Sequence, residues 1–173
     1  MRFAEAAQKI LKQFQIRRIP VPVTEIAQKL GAIVTYHPFD SKDNLSGVLF
    51  KEQGNTKIAV NSSDPPTRQR FTIAHECGHL VLKHKGDMFV DQTIRLQRDA
   101  NSGLAIDPLE VEANGFAAEL LMPRAWVLRE FGKRATPNIK PETLIRELAK
   151  AFEVSPKAME YRLQNLGLLS PDH

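Results

Sequence analysis

His75, Glu76 and His79 carry the clearest chemical signal in the chain. Two histidines four residues apart on a helix share one face, one turn apart. Their imidazole nitrogens can then grip a single zinc ion at about 2.0–2.1 Å each. A glutamate directly after the first histidine projects at a neighbouring angle. It reaches the attacking water without joining the ligand set, which suits a general base. Phe71, Ala74, Gly78 and Leu82 form an apolar stripe beside the histidines, placing the pair at the buried edge of an amphipathic helix. Gly78 costs that helix about 1 kcal/mol relative to alanine, which makes sense if another element approaches closely there. The bland alternative is a hydrogen-bonded histidine pair with no metal. A structural zinc fits less well, because such sites recruit several cysteines and this chain has one, Cys77.

A catalytic zinc needs a third protein ligand and an open position for water. His84 falls five residues after His79, off the shared face, and His37 sits at a strand end with no supporting pattern. His173 is the last residue. A carboxylate on the helix that begins at Pro108 fits better. Glu110, Ala113, Asn114 and Ala117 recur at helical spacing and surround one acid with small residues, a face able to press against Gly78. Glu112 lies on a different stripe, with Phe116 and Glu119, and is the second candidate. Glu110 could instead complete a capping box with Asp107. Asn114, one turn after Glu110, could accept a hydrogen bond from the far nitrogen of a ligating histidine, or could be polar filling.

The rest of the chain must position these residues. An apolar stripe of Phe3, Ala7, Ile10, Leu11 and Phe14 predicts a helix over 3–15. A short helix follows Pro20-Val21-Pro22 and stops at Gly31. Strands are expected at Ala32–His37, Gly47–Phe50 and Lys57–Val60, the last two joined by a polar loop containing Gly54. Asp64-Pro65-Pro66 offers a cap and first-turn prolines to the histidine helix, which runs to about His84. Residues 86–106 are polar and carry no clear pattern. The helix opened by Asp107-Pro108 ends near Met122-Pro123, and helices Glu142–Ala151 and Ser155–Asn165 close the chain. The expected fold is α+β: a small twisted β-sheet, two crossing helices that carry the metal, and a C-terminal helix pair. Residues 132–141 read as a linker, dividing a zinc metallopeptidase domain over 1–135 from a helical tail over 136–173.

The whole chain sets limits. Its 173 residues suit one compact domain or one domain with an appendage. The single cysteine excludes an internal disulfide framework and suits a reducing compartment. No apolar run approaches the roughly 20 residues that span a bilayer, and the acid-bearing start does not read as a signal peptide. A cytoplasmic protein with no membrane contact is the expectation. The net charge of +4, spread along the chain, permits contact with nucleic acid without arguing for it.

Arg70-Phe71-Thr72-Ile73-Ala74-His75-Glu76-Cys77-Gly78-His79, followed by Glu110-Val111-Glu112-Ala113-Asn114-Gly115-Phe116-Ala117-Ala118-Glu119-Leu120-Leu121-Met122-Pro123, resembles the ImmA/IrrE family of metallopeptidases. Residues 20–31 resemble its lead-in and 148–169 its tail. The resemblance implies a gluzincin-like site holding one zinc per chain through His75, His79 and Glu110, with Glu76 as base. It also implies cytoplasmic cleavage of DNA-bound repressors that carry helix-turn-helix domains. Cys77 stands where the family usually has a plain apolar residue, and reads as a small hydrophobe or as an oxidation-sensitive thiol.

Substrate would bind as an added strand on a sheet edge, and Gly47–Phe50 or Lys57–Val60 could supply it; both also read as ordinary core strands. His84, Tyr36, Tyr161 and Arg70 are conceivable partners for the oxyanion. In the tail, Leu148–Ala158 resembles a helix-turn-helix core, with Ser155 as cap and Pro156 in the first turn. Glu153 holds the turn position that favours glycine, and Lys157 and Arg162 against Glu160 make a thin positive face. A helix pair packed through Leu144, Leu148, Phe152, Met159 and Leu163 explains the same pattern. The leading expectation is a zinc endopeptidase acting on a protein. The alternative is a non-catalytic regulator that binds DNA or a partner protein through the same fold.

Overall fold

The computed structural model describes residues 2–39, 45–84, 88–92 and 107–170. Helices α1 (Arg2–Gln13) and α2 (Val23–Lys29) precede three strands, β1 (Ala32–His37), β2 (Leu45–Glu52) and β3 (Asn55–Asn61). Helix α3 (Pro66–Leu82) follows, then strand β4 (Met88–Gln92), and then α4 (Pro108–Leu121), α5 (Arg124–Arg134), α6 (Pro141–Phe152) and α7 (Pro156–Asn165). The fold is α+β, as the patterning predicts.

Strand order is β1-β3-β2-β4, with β1 parallel to β3 and the other pairs antiparallel. Gln53 and Gly54 turn the β2–β3 hairpin with φ of 50° and 80°, the left-handed pair that two-residue hairpins favour. Gly31 leaves α2 at φ 85°, a conformation that costs glycine little. Both strands considered as a substrate edge are therefore interior, because β4 pairs along β2. That strand lies within the stretch the sequence left unassigned, most of which falls outside the described residues. The edges among the described residues are β1 and β4.

Helix α3 packs against β2 and β3 on one side and α4 on the other. From Thr72 to His79 every residue is buried, so α3 is a central helix rather than the amphipathic one expected from its stripe. Its N-cap is Pro65 with no side-chain cap, so Asp64 does not serve as one. Helix α5 continues through Gly132 to Arg134, so of the expected linker only residues 135–140 lie outside helices. Leu144, Leu148, Phe152, Met159 and Leu163 join the same apolar cluster as Ile26, Ile73 and Leu120. Arg162 donates from Nε to the Met122 carbonyl at 3.0 Å and pairs through Nη2 with the buried Glu119 of α4. Among the described residues no helix is long and apolar enough to cross a membrane.

Candidate metal centre

Two glycines let the elements around the site come together. A Cβ on Gly78 would lie 3.1 Å from Ala113 Cα and 3.2 Å from Ala113 O, so α3 and α4 meet backbone to backbone. A Cβ on Gly47 would overlap Thr72 Cγ2 and stand 3.7 Å from Glu76 Oε1, so β2 presents bare backbone beneath the second residue of the motif. The irregular register between Leu45 and Gly47 falls at the same place, where a bulge re-aims a strand.

Across this contact the side chains converge. His75 Nε2 is 3.1 Å from Glu110 Oε2, His79 Nε2 is 3.3 Å from Glu110 Oε1, and the two Nε2 atoms are 3.0 Å apart. Three atoms held tetrahedrally at about 2.0–2.1 Å from one ion would themselves be roughly 3.3 Å apart. The separation of the two nitrogens, and of each from its nearer Glu110 oxygen, is close to that size, with one carboxylate oxygen facing each histidine. His75, His79 and Glu110 form the His/Glu cluster able to hold a metal ion among the described residues.

The far nitrogens support the same reading. His75 Nδ1 donates to Asn114 Oδ1 at 2.9 Å, the contact anticipated for Asn114. His79 Nδ1 is 2.9 Å from His84 Nδ1. With both Nδ1 atoms protonated, two Nε2 lone pairs and a carboxylate face one another, and a cation between them removes that repulsion. Burial holds His79 below the ordinary histidine range, against the opposing hydrogen bond to Glu110, and so favours the neutral ring that a metal requires. With no ion bound, an Nε2 hydrogen on His75, and then on His79, would bond Glu110 and hold its carboxyl far below the usual carboxylate range; an ion would take the place of those hydrogens. The capping-box alternative for Glu110 is not what the geometry shows. Asp107 caps α4 through Leu109 N at 2.8 Å, while both Glu110 oxygens face the histidines.

Glu112 lies outside the triangle, with Oε2 3.2 Å from His84 Nε2. The spacing argument had set His84 aside for being off the helical face. Glu76 is fully buried and is not part of the ligand cluster. Cys77 is fully buried, and burial followed by the Glu76 charge pushes its thiol far above the usual range, so it packs as an inert small hydrophobe.

The residues considered for the oxyanion are mostly committed elsewhere. Arg70 donates to Val21 O at 2.8 Å and Glu153 O at 3.2 Å, tying α3 to the segment before α2 and to the turn after α6. Tyr161 carries Lys157 Nζ over its ring at 4.6 Å. Tyr36 is half exposed on β1, the edge away from β2. His84 uses both ring nitrogens.

Known proteins place this geometry in context. Residues 27–164 match the family described as the IrrE N-terminal-like domain, a peptidase family. The radiation response metalloprotease IrrE of Deinococcus radiodurans is 37% identical over 107 residues, covering 61% of this chain and 30% of that protein. Its counterpart in Deinococcus deserti is 31% identical over 133 residues, covering 77% and 43%. An uncharacterized immunity region protein 2 of Bacillus phage phi105 is 26% identical over 128 residues, covering 73% and 71%. The aligned region thus spans less than half the length of either IrrE relative. With the family's profile running from α2 to α7 and through both halves of the His/Glu cluster, this chain belongs to the IrrE N-terminal-like peptidase family.

Proposed function

We propose that this chain is a zinc-dependent endopeptidase that hydrolyses a peptide bond in a protein substrate. The observation that carries the reading is the convergence of His75 Nε2, His79 Nε2 and the Glu110 carboxylate, the two nitrogens 3.0 Å apart and each 3.1–3.3 Å from its own Glu110 oxygen. One zinc per chain would be held by these three residues. When bound, it would polarise the scissile carbonyl and acidify the attacking water. Glu76 would serve as the base that takes a proton from the attacking water and returns one to the leaving amine. Asn114, accepting from His75 Nδ1, would hold that ring in the tautomer whose Nε2 lone pair is left for the metal.

The substrate we propose is a helix-turn-helix transcriptional repressor in the cytoplasm. Two relatives named as metalloproteases support the reaction class, and one named for a phage immunity region is compatible with such a substrate. In this reading residues 1–135 form the peptidase unit and 136–173 a tail that shapes substrate recognition. Direct DNA binding by the tail has less support. Arg162 is committed to Glu119 and Met122, and Lys157 pairs with Glu160 at 3.0 Å. The non-catalytic alternative keeps the same site but predicts no product. Incubating the zinc-loaded protein with a panel of helix-turn-helix repressors, and looking for cleavage on a gel, separates the two. A zinc-replete chain that leaves every candidate repressor intact, yet shifts a DNA fragment, favours the alternative.

A further inference from the structure

Helix α3 does not run straight out into solvent. Lys83 takes the left-handed conformation at φ 56° and ψ 42°. The Lys83 amide bonds Leu80 O at 3.3 Å, and the His84 amide bonds His79 O at 3.1 Å. This pair of backbone bonds is a Schellman motif, which folds the residue after the helix back over its last turn. It brings His84 beside His79, with ring centroids 5.0 Å apart and planes at 75°. The His84 side chain is only 2% exposed. A buried, polar ring in that place must have partners, and it has one on each side: His79 Nδ1 at 2.9 Å and Glu112 Oε2 at 3.2 Å.

The partners determine the protons. A carboxylate only accepts, so His84 Nε2 carries a hydrogen and donates it to Glu112. In the neutral ring His84 Nδ1 then holds a lone pair, and accepts the hydrogen on His79 Nδ1. That leaves His79 Nε2 with its lone pair directed into the triangle. We propose that Glu112 and His84 form a relay that fixes the tautomer and ring angle of His79, and so act as positioning residues for metal capture. The proposal rests on reading His75, His79 and Glu110 as the metal site. It gives each histidine its own support: Asn114 from one turn along α4 serves His75, and the Glu112–His84 pair serves His79.

The two supports make separable predictions for zinc affinity, measured on the full chain by competition with a chelating dye. Loss of such a partner weakens metal binding about 10–100-fold, and this is expected for His84→Ala. Adding Glu112→Ala to His84→Ala should change little further, because the relay is already broken. Adding Asn114→Ala should multiply the loss, because it strikes the other histidine. His84→Gln offers an acceptor and a donor at nearly the imidazole separation, and should restore much of the affinity. Metal-free thermal unfolding, recorded on the same variants, distinguishes a mere structural tie. That tie would lower metal-free stability and would not be restored by glutamine. A wild-type chain that binds zinc tightly, with His84→Ala binding within about threefold of it, overturns the relay and leaves the metal site standing. A wild-type chain that takes up no zinc overturns both.

Discussion

Gly78 and Ala113 sit so close that a single methyl group would not fit between them: a Cβ on Gly78 would stand 3.1 Å from Ala113 Cα. The obstacle is backbone, which yields less readily than a flexible side chain. Gly78→Ala should therefore push α4 outward by a few tenths of an ångström and carry Glu110 away from the histidines. A stability loss of about 1–3 kcal/mol is expected from such overpacking, together with weaker zinc binding. Urea denaturation and zinc competition on one preparation would check both. Unchanged values in both would mean the helix contact does not set the ligand geometry.

The third ligand is tested by comparing two acids. Glu110→Ala removes one corner of the triangle and should leave almost no zinc after dialysis, by elemental analysis. Glu112→Ala should keep zinc at millimolar supply and show only the weakened affinity expected of a supporting residue. An empty Glu112→Ala site beside a full Glu110→Ala site would reverse the two roles.

Glu76→Gln keeps size and hydrogen-bonding reach but cannot accept a proton. The variant should retain fold and zinc while cleavage of the proposed repressor substrate falls by at least about 100-fold. Metal content and cleavage rate are to be read from the same sample. Cleavage at the normal rate by the metal-loaded variant would place the base elsewhere.

Glu130 gives a pH dependence remote from the metal. Hydrogen bonds from Arg134 and Lys133, with Arg129 adding less, hold its carboxyl down from an ordinary 4.5 to about 2. A carboxylate with a lowered folded-state pKa binds fewer protons folded than unfolded. Its contribution to stability is full above the unfolded value and is lost as pH falls toward 2. Chemical denaturation between pH 5 and pH 2 should show stability rising with pH, and Glu130→Gln should flatten that slope. An unaltered slope in the variant would assign the acid sensitivity to other carboxylates.

Lys83 occupies left-handed backbone, at φ 56°. Lys83→Gly should be neutral or stabilising by up to about 1 kcal/mol, and Lys83→Val destabilising by about 1–2 kcal/mol. Differential scanning fluorimetry of the metal-free protein reads the order directly. A valine variant as stable as the glycine variant would show that the helix ends differently in solution.

The strongly periodic parts of this structure were legible in its sequence. His75 and His79 share a face because the helical repeat requires it, and the small residues around Glu110 singled out the acid that meets them. Asn114 followed from its position one turn along. His84 did not, because its place depends on a lysine in a conformation that lysine rarely takes, and no residue type at position 83 announces that turn. The interior position of β2 was hidden for another reason. It depends on β4, a short strand in a polar stretch whose pairing is a long-range event. Arg162 looked like a surface cation, since burial against Glu119 arises only when α7 packs on α4.

The contact between Arg162 and Glu119 also makes α7 a thermodynamic neighbour of the candidate metal site. Helix α4 carries Glu110 near its start, and Glu119 and Met122 near its end, so anything that steadies α4 is felt at both. Zinc capture should then slow amide exchange in α7, although α7 contributes no ligand. By linkage, a partner that grips the tail must alter zinc affinity by the same factor by which zinc alters its own. If zinc fills the site and a partner grips α7, the two occupancies would be readings of a single equilibrium.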